Sequence, residues 1–414
     1  MNNMRNTTKR LLAKDVTVSC DTWQTRLNNN TLIIGVPGSG KTRGYIKPNI
    51  LLSEESMVIA DTKGNLYSQC KDALEAKGYT TMLIDFRNAQ NNSIGYNPLD
   101  YIRYDEANHC WRENDILTIS QVLVPDNPYD RDPFWNNSAR LYMSSLIAYV
   151  MECLPKSEHT LEYVMKLNGL HNQYRTMGDG KITKSILTEM FEDLEQIRPN
   201  SYAVRLYRLI SGNSTAEKME ASIRGILNEK FNTLNTTDTM NMFKRAKRMD
   251  FTALGKEKTA VFVYASDVDR SKDRLGSLFY TQMFQTLTEF AGECEGCRLP
   301  VPVHFYLDDF AANIQIPDFD NIASVIRSRE ISVSIVIQSI SQLTKIYGTY
   351  ASTTILNNMD HIIYMGGNDL ETAKFIANHA SIPEEKVLRL PIGKEFLLER
   401  GSKTTMEDIY EPES

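Results

Sequence analysis

Residues 31–42 read TLIIGVPGSGKT, and no other stretch limits the fold of this 414-residue chain so tightly. Gly35, Gly40, Lys41 and Thr42 fit the spacing G-x-x-x-x-G-K-[ST], directly after a short β-branched run and before a stretch with helical spacing. A strand, a glycine turn and a helix in that order aim several backbone N–H groups and the positive end of the helix at one point, a cradle for phosphate oxygens. Gly35, Gly38, Ser39 and Gly40 make the turn, Lys41 offsets the charge of β- and γ-phosphates, and Thr42 offers its hydroxyl to Mg²⁺. The motif therefore predicts a site for ATP and Mg²⁺, set on an α/β scaffold.

The rest of the chain supplies the sheet. Runs at 31–35, 57–61, 80–86, 260–266, 303–309, 332–338 and 361–365 are short, apolar and rich in β-branched residues. Near-continuous runs of this kind read as parallel strands buried on both faces. The segments 275–292 and 369–380 are long enough for the crossover helices that parallel strands need, so the core reads as a doubly wound α/β fold with a mainly parallel sheet. The alternation breaks between about 155 and 250, where helical spacings such as Ile186, Met190, Leu194 and Ile197 dominate. This predicts an all-α domain at 155–250, inserted between a first part of the core at 1–154 and a second part at 251–414. Turn clusters at 178–180 and 211–214 divide the helices of the insert.

Three further features point at the same chemistry. The run VPVHFYLDD ends in Asp308 and Asp309, as suits a strand beside the phosphate loop, with Asp308 reaching Mg²⁺ and Asp309 polarising the attacking water. SVSIVIQS sets Gln338 after another buried strand, where a neutral amide can sense the γ-phosphate. Between them Arg327 and Arg329 lie two residues apart in a predicted helix or its end, hence on different faces, and one can cross a subunit boundary as an arginine finger. The loop at 61–64, DTKG, lies at strand ends where α/β sheets bind ligands, and reads first as a strand-to-helix turn that Gly64 permits, with a direct nucleotide role as the alternative. Phe134 and Trp135 read as a packed aromatic pair ahead of a helix at 138–151, with stacking on a base as the alternative.

Composition narrows the partners. A net charge of −6 leaves no global footprint for nucleic acid, so any such contact is local. The stretch 155–250 carries +3 against −9 for the remainder, and Lys244, Arg245, Lys247 and Arg248 form the densest basic cluster. That cluster reads as a strip tracking a phosphate backbone or as a solvated face. Near the end, Glu407, Asp408, Glu411 and Glu413 read as a frayed tail or a dock for a basic protein. No run approaches the roughly 18 apolar residues that span a bilayer. Six scattered cysteines suit a reducing compartment, and the Cys294–Cys297 pair lacks the further ligands of a zinc site.

Together these residues resemble the type IV secretion coupling proteins, ATPases that bring DNA and a relaxase to a conjugation channel. The resemblance runs through 35–42, Pro48-Asn49, 61–64, 97–99, Phe134-Trp135, 307–310, 327–329, Gln338 and 390–393. It implies a RecA-like P-loop NTPase core with an inserted all-α domain, and ATP hydrolysis coupled to translocation of DNA, single-stranded in that family. It also implies a homo-hexamer with nucleotide at the subunit boundaries, with Arg327 as the finger. The partners implied are a relaxase, accessory transfer proteins and type IV channel components. The place implied is the cytoplasm, peripheral at the cytoplasmic face of the bacterial cell membrane, reached through partners or a missing anchor.

Two departures stand out. Family members usually carry Glu as the second acid, and Asp309 is one methylene shorter; a misplacement of about 1 Å can cost on the order of 10²-fold in rate. The phosphate loop begins at residue 35, with nothing before it that could span a membrane. Two other readings share the motifs: a non-catalytic nucleotide-bound adaptor that docks a relaxase, and a ring motor translocating double-stranded DNA.

Overall fold

The computed structural model describes residues 8–126, 132–176, 182–211, 216–266, 268–312 and 314–412. All seven runs form strands: β1 (Thr31–Ile34), β2 (Ser56–Asp61), β3 (Thr80–Asp85), β4 (Thr259–Tyr264), β5 (Val303–Leu307), β6 (Ile331–Ile337) and β7 (His361–Tyr364). Two more, β8 (Lys394–Glu399) and β9 (Thr405–Asp408), complete a nine-stranded sheet. Across the sheet the order is β9-β8-β7-β1-β6-β5-β2-β4-β3. The seven strands from β7 to β3 pair in parallel, and β8 and β9 add on antiparallel.

The acid-bearing β5 is not next to β1, because β6 lies between them. β6 has the longer unbroken buried run, ISVSIVI, and all seven of its residues are covered. A strand covered on both faces and paired on both edges belongs in the middle, where each large apolar side chain contributes about 1.5–3 kcal/mol. Its two serines have a partner: His304 of β5 lies between them, with Nδ1 2.7 Å from Ser332 Oγ and Nε2 2.7 Å from Ser334 Oγ. Burial holds this histidine's pKa well below its usual value, so the ring is neutral and meets the serines as one donor and one acceptor.

The first unit of the chain comprises residues 1–93, 250–273 and 283–414. An N-terminal hairpin, Lys9–Ala13 with Val16–Ser19, packs on it through a buried charge. Arg10 is 2% exposed, and its guanidinium donates to the Asn29 carbonyl at 2.5 Å and to Glu55 Oε2 at 2.9 Å. Leu11 N–H donates to Asn49 Oδ1 at 2.8 Å, tying the hairpin to the helix Lys47–Leu52.

The second unit comprises residues 94–249 and 274–282. It begins well before residue 155 and includes the helices Glu113–Leu123 and Phe134–Cys153 as well as those expected. The aromatic core shows why: Phe191 stacks on Tyr207 at 4.0 Å and meets Tyr149 of the earlier helix at 5.0 Å. It is mostly helical, with two short hairpins, Tyr104–Asp105 with Cys110–Trp111 and Tyr174–Thr176 with Ile182–Ser185. Thr160, Ser185 and Thr236 begin three of its helices, each hydroxyl accepting the backbone N–H three residues on. The turn cluster expected at 178–180, residues 212–214 of the one expected at 211–214, and Glu413 lie outside the described residues. No helix among the described residues is long and apolar enough to cross a membrane.

Candidate phosphate-binding site

Pairing on both sides of β1 sets the loop that follows it. Gly35 N–H donates to the Ile337 carbonyl of β6 at 3.2 Å, and Val36 N–H donates to the Gly366 carbonyl beyond β7 at 3.2 Å. The chain then turns through Gly38 at φ 83° and Gly40 at φ 98°, left-handed backbone that a side chain would strain. A β-carbon on Gly35 would sit 2.4 Å from Ser39 Oγ and 3.1 Å from the Met365 β-carbon, so a larger residue here would displace the Ser39 hydroxyl. The helix that follows opens with a π-helical turn, Lys41–Ile46, before the α-helix Lys47–Leu52.

Two groups in this loop lack an external partner. Ser39 Oγ is buried without a hydrogen bond, and the Lys41 ammonium falls back on the loop itself, donating to the Gly35 carbonyl at 2.6 Å and the Val36 carbonyl at 3.0 Å. Burial lowers the Lys41 pKa; Asp309 and Asp308 oppose that, and Lys63 adds to it. A buried hydroxyl and a buried cation pointing into a turn of this shape fit phosphate oxygens.

The metal-binding pair is assembled from elements far apart in sequence. Thr42 Oγ1 donates to Asp308 Oδ2 at 3.0 Å, and Asp309 N–H donates to Asp308 Oδ1 at 3.0 Å. Asp308 is 6% exposed, and burial with the neighbouring Asp309 charge pushes its pKa up to about 6, against the pull of Thr42 and Lys41. A carboxylate so placed is short of positive charge. A hydroxyl and a carboxylate oxygen at this distance are the hard donors that Mg²⁺ takes alongside substrate phosphates. Asp309 has φ 48°, and its Oδ2 accepts from Thr62 Oγ1 at 3.4 Å.

Gln338 follows β6 directly and is half-buried; since Ile337 pairs with Ile34, the amide emerges beside the start of the phosphate loop. Arg327 is elsewhere. It lies in the 3₁₀ turn Ile326–Arg329 ahead of β6, at the opposite ends of the strands, and is exposed. Seven residues of β6 at about 3.3 Å each put roughly 20 Å between that turn and the phosphate loop. Arg329 is held locally, donating to the Val325 carbonyl at 2.8 Å.

The side features sort differently. Lys244 pairs with Glu162 at 2.7 Å and Arg248 with Asp100 at 2.9 Å, so half of the basic cluster is already matched by acids. Phe134 and Trp135 meet edge to face at 5.3 Å and begin the helix, yet both are exposed, at 43% and 38%. Sequence reasoning singled out the loop at 61–64 for its place at a strand end but gave Thr62 no role beside Asp309. It also missed Ile409 and Tyr410, which lie over Gly44, where a β-carbon would sit 2.9 Å from the Tyr410 carbonyl oxygen.

A parallel sheet with a glycine loop and Lys-Thr after its first strand, and two acids after a strand two places away, defines a P-loop NTPase fold with a RecA-like core. The particular family follows from the whole sequence. Residues 2–380 match the family described as Type IV secretory system Conjugative DNA transfer, and the chain belongs to it. The resemblance to the type IV secretion coupling proteins is thereby borne out.

Among its relatives are Protein VirD4 of Rhizobium radiobacter, 21% identical over 351 residues (84% of this chain, 47% of the relative), and Protein VirD4 of Agrobacterium fabrum (strain C58), 21% identical over 350 residues (84% and 49%). The chain spans about half the length of these relatives. Similar solved folds include the plasmid coupling protein TrwB in complex with ADP and Mg²⁺, with a TM-score of 0.69 and 14% identity over 98% of this chain and 89% of that one. VirB4 of Thermoanaerobacter pseudethanolicus is more distant, with a TM-score of 0.55 and 11% identity over 99% and 98% of the two chains.

Proposed function

We propose that this chain is an ATP- and Mg²⁺-dependent motor that moves relaxase-bound DNA, single-stranded, into a conjugative type IV secretion channel. One observation carries the reading: Lys41, Thr42, Asp308 and Asp309 converge on one point of a sheet with the coupling-protein fold. Lys41 leaves its two loop carbonyls to neutralise phosphate charge, and the loop N–H groups orient the phosphates. Thr42 and Asp308 would hold Mg²⁺, which when bound draws charge from the phosphate oxygens in the displacement. Asp309, fixed by Thr62, accepts a proton from the attacking water and aligns it. Gln338 senses the terminal phosphate from the neighbouring strand.

Arg327 is too far from its own phosphate loop to serve it. Its exposure away from its own loop supports a role at the site of an adjoining copy, and with that a homo-hexamer. In this reading the partners are DNA, a relaxase, accessory transfer proteins and channel components. The work is done at the cytoplasmic face of the membrane, reached through partners or an anchor.

The test is steady-state ATP hydrolysis with Mg²⁺, with and without single-stranded DNA, over a range of protein concentrations and beside Lys41→Ala. Turnover that rises faster than linearly with protein, is stimulated by DNA and is lost with Lys41 supports the motor. Nucleotide binding without turnover under any of these conditions refutes it and leaves an adaptor that docks a relaxase. Preferential stimulation by duplex DNA would instead make the chain a double-strand translocase.

A further inference from the structure

Asp61 closes β2, the strand that flanks β5 on the side away from β6. One of its carboxylate oxygens accepts the backbone N–H groups of Lys63 and Gly64 at 3.0 and 2.9 Å, and the other accepts those of Asn65 and Leu66 at 2.8 and 2.7 Å. Four charge-assisted bonds hold the loop in one shape.

The loop so held meets the phosphate site on its far side. Thr62 Oγ1 donates to Asp309 Oδ2 at 3.4 Å. Lys63, the next residue, lies close enough to Lys41 for the two like charges to oppose each other. Its side chain is exposed. A row of groups thus crosses the ends of the strands: Lys41 after β1, Gln338 after β6, Asp308 and Asp309 after β5, and Lys63 after β2. Two carboxylates face one buried ammonium at the phosphate loop; Mg²⁺ held by Thr42 and Asp308 would offset the acids, and Lys63 adds a further positive charge on their far side. Lys63 stands beyond the acids, so of a phosphate chain seated in the loop only the terminal group extends toward it.

We propose that Lys63 is a second phosphate-binding cation of this site, which takes the terminal phosphate of a nucleoside triphosphate across from Lys41. The loop at 61–64 then distinguishes triphosphate from diphosphate, with Asp61 as its brace and Thr62 as its link to Asp309. This rests on the reading of the site as one for nucleotide.

The experiment is equilibrium binding of ADP and of a non-hydrolysable ATP analogue, each with Mg²⁺, to the full chain and to Lys63→Ala, Lys63→Arg and Lys41→Ala. Loss of one charge-assisted contact predicts that Lys63→Ala binds the analogue about tenfold or more weakly and ADP within about twofold of the parent. Lys63→Arg, which keeps the charge, retains the preference. The proposal is overturned if Lys63→Ala binds the analogue as tightly as the parent while Lys41→Ala does not, or if it loses both ligands equally. If the parent binds neither ligand, the nucleotide reading fails first and takes this one with it.

Discussion

Glu395 offers the sharpest quantitative test. It lies in β8, 1% exposed, directly opposite Glu407 of β9, and its Oε2 has no hydrogen-bond partner among the described residues. Burial, with the charge of Glu407 added, pushes its pKa from the ordinary 4.5 up to about 8. The folded chain therefore holds this proton more tightly than the unfolded chain does. Stability from this group is complete below about pH 4.5 and is lost as pH rises toward about 8. At about 1.4 kcal/mol per pH unit the full loss is about 5 kcal/mol, and about 3 kcal/mol of it is gone by pH 7.

That is a large part of the roughly 5–15 kcal/mol that holds a domain together. Urea unfolding at pH 5 and pH 8.5 reads it directly when the parent is compared with Glu395→Gln, which stays neutral throughout. The parent should lose about 4 kcal/mol more than the variant between the two pH values. The comparison cancels the fixed cost of placing an amide there. Parallel losses in the two proteins would refute the reasoning. Because β9 runs on into Ile409 and Tyr410 over Gly44, the loosening should also weaken nucleotide binding at the higher pH.

Three further outcomes are expected. Arg10→Met strands the buried Glu55, whose pKa burial already raises, and should cost about 3–5 kcal/mol by urea unfolding at pH 7; the double variant with Glu55→Leu should recover most of it, and a double no better than the single would contradict the pairing. Asp309→Glu restores the missing methylene and should raise kcat, up to the order of 10²-fold, with nucleotide affinity little changed; an unchanged kcat would show that acid length does not limit the rate. Arg327→Ala should keep ATP binding and lose hydrolysis in the assembled ring, and full turnover there would remove it from the mechanism.

The two exposed aromatics show where sequence reasoning stops. Nothing in the local spacing distinguishes a buried Phe-Trp pair from an exposed one, because both begin a helix in the same way. What separates them is how far other elements cover the helix start, and here Phe134 and Trp135 meet edge to face and remain 43% and 38% exposed. Lys244 and Arg248 teach the same lesson, since their partners Glu162 and Asp100 lie 82 and 148 residues away.

The glycine loop, the seven buried strands and the acid pair were legible because each is written in a few consecutive residues. Backbone freedom at Gly38 and Gly40, unbroken β-branched runs and a polar end to each run act over one turn or one strand. The sheet order, the start of the second unit near residue 94, the pairing of Arg10 with Glu55 and the link from Thr62 to Asp309 were not legible. Each depends on which surfaces bury each other, a free energy shared among residues tens to hundreds of positions apart, and only the packed structure decides it.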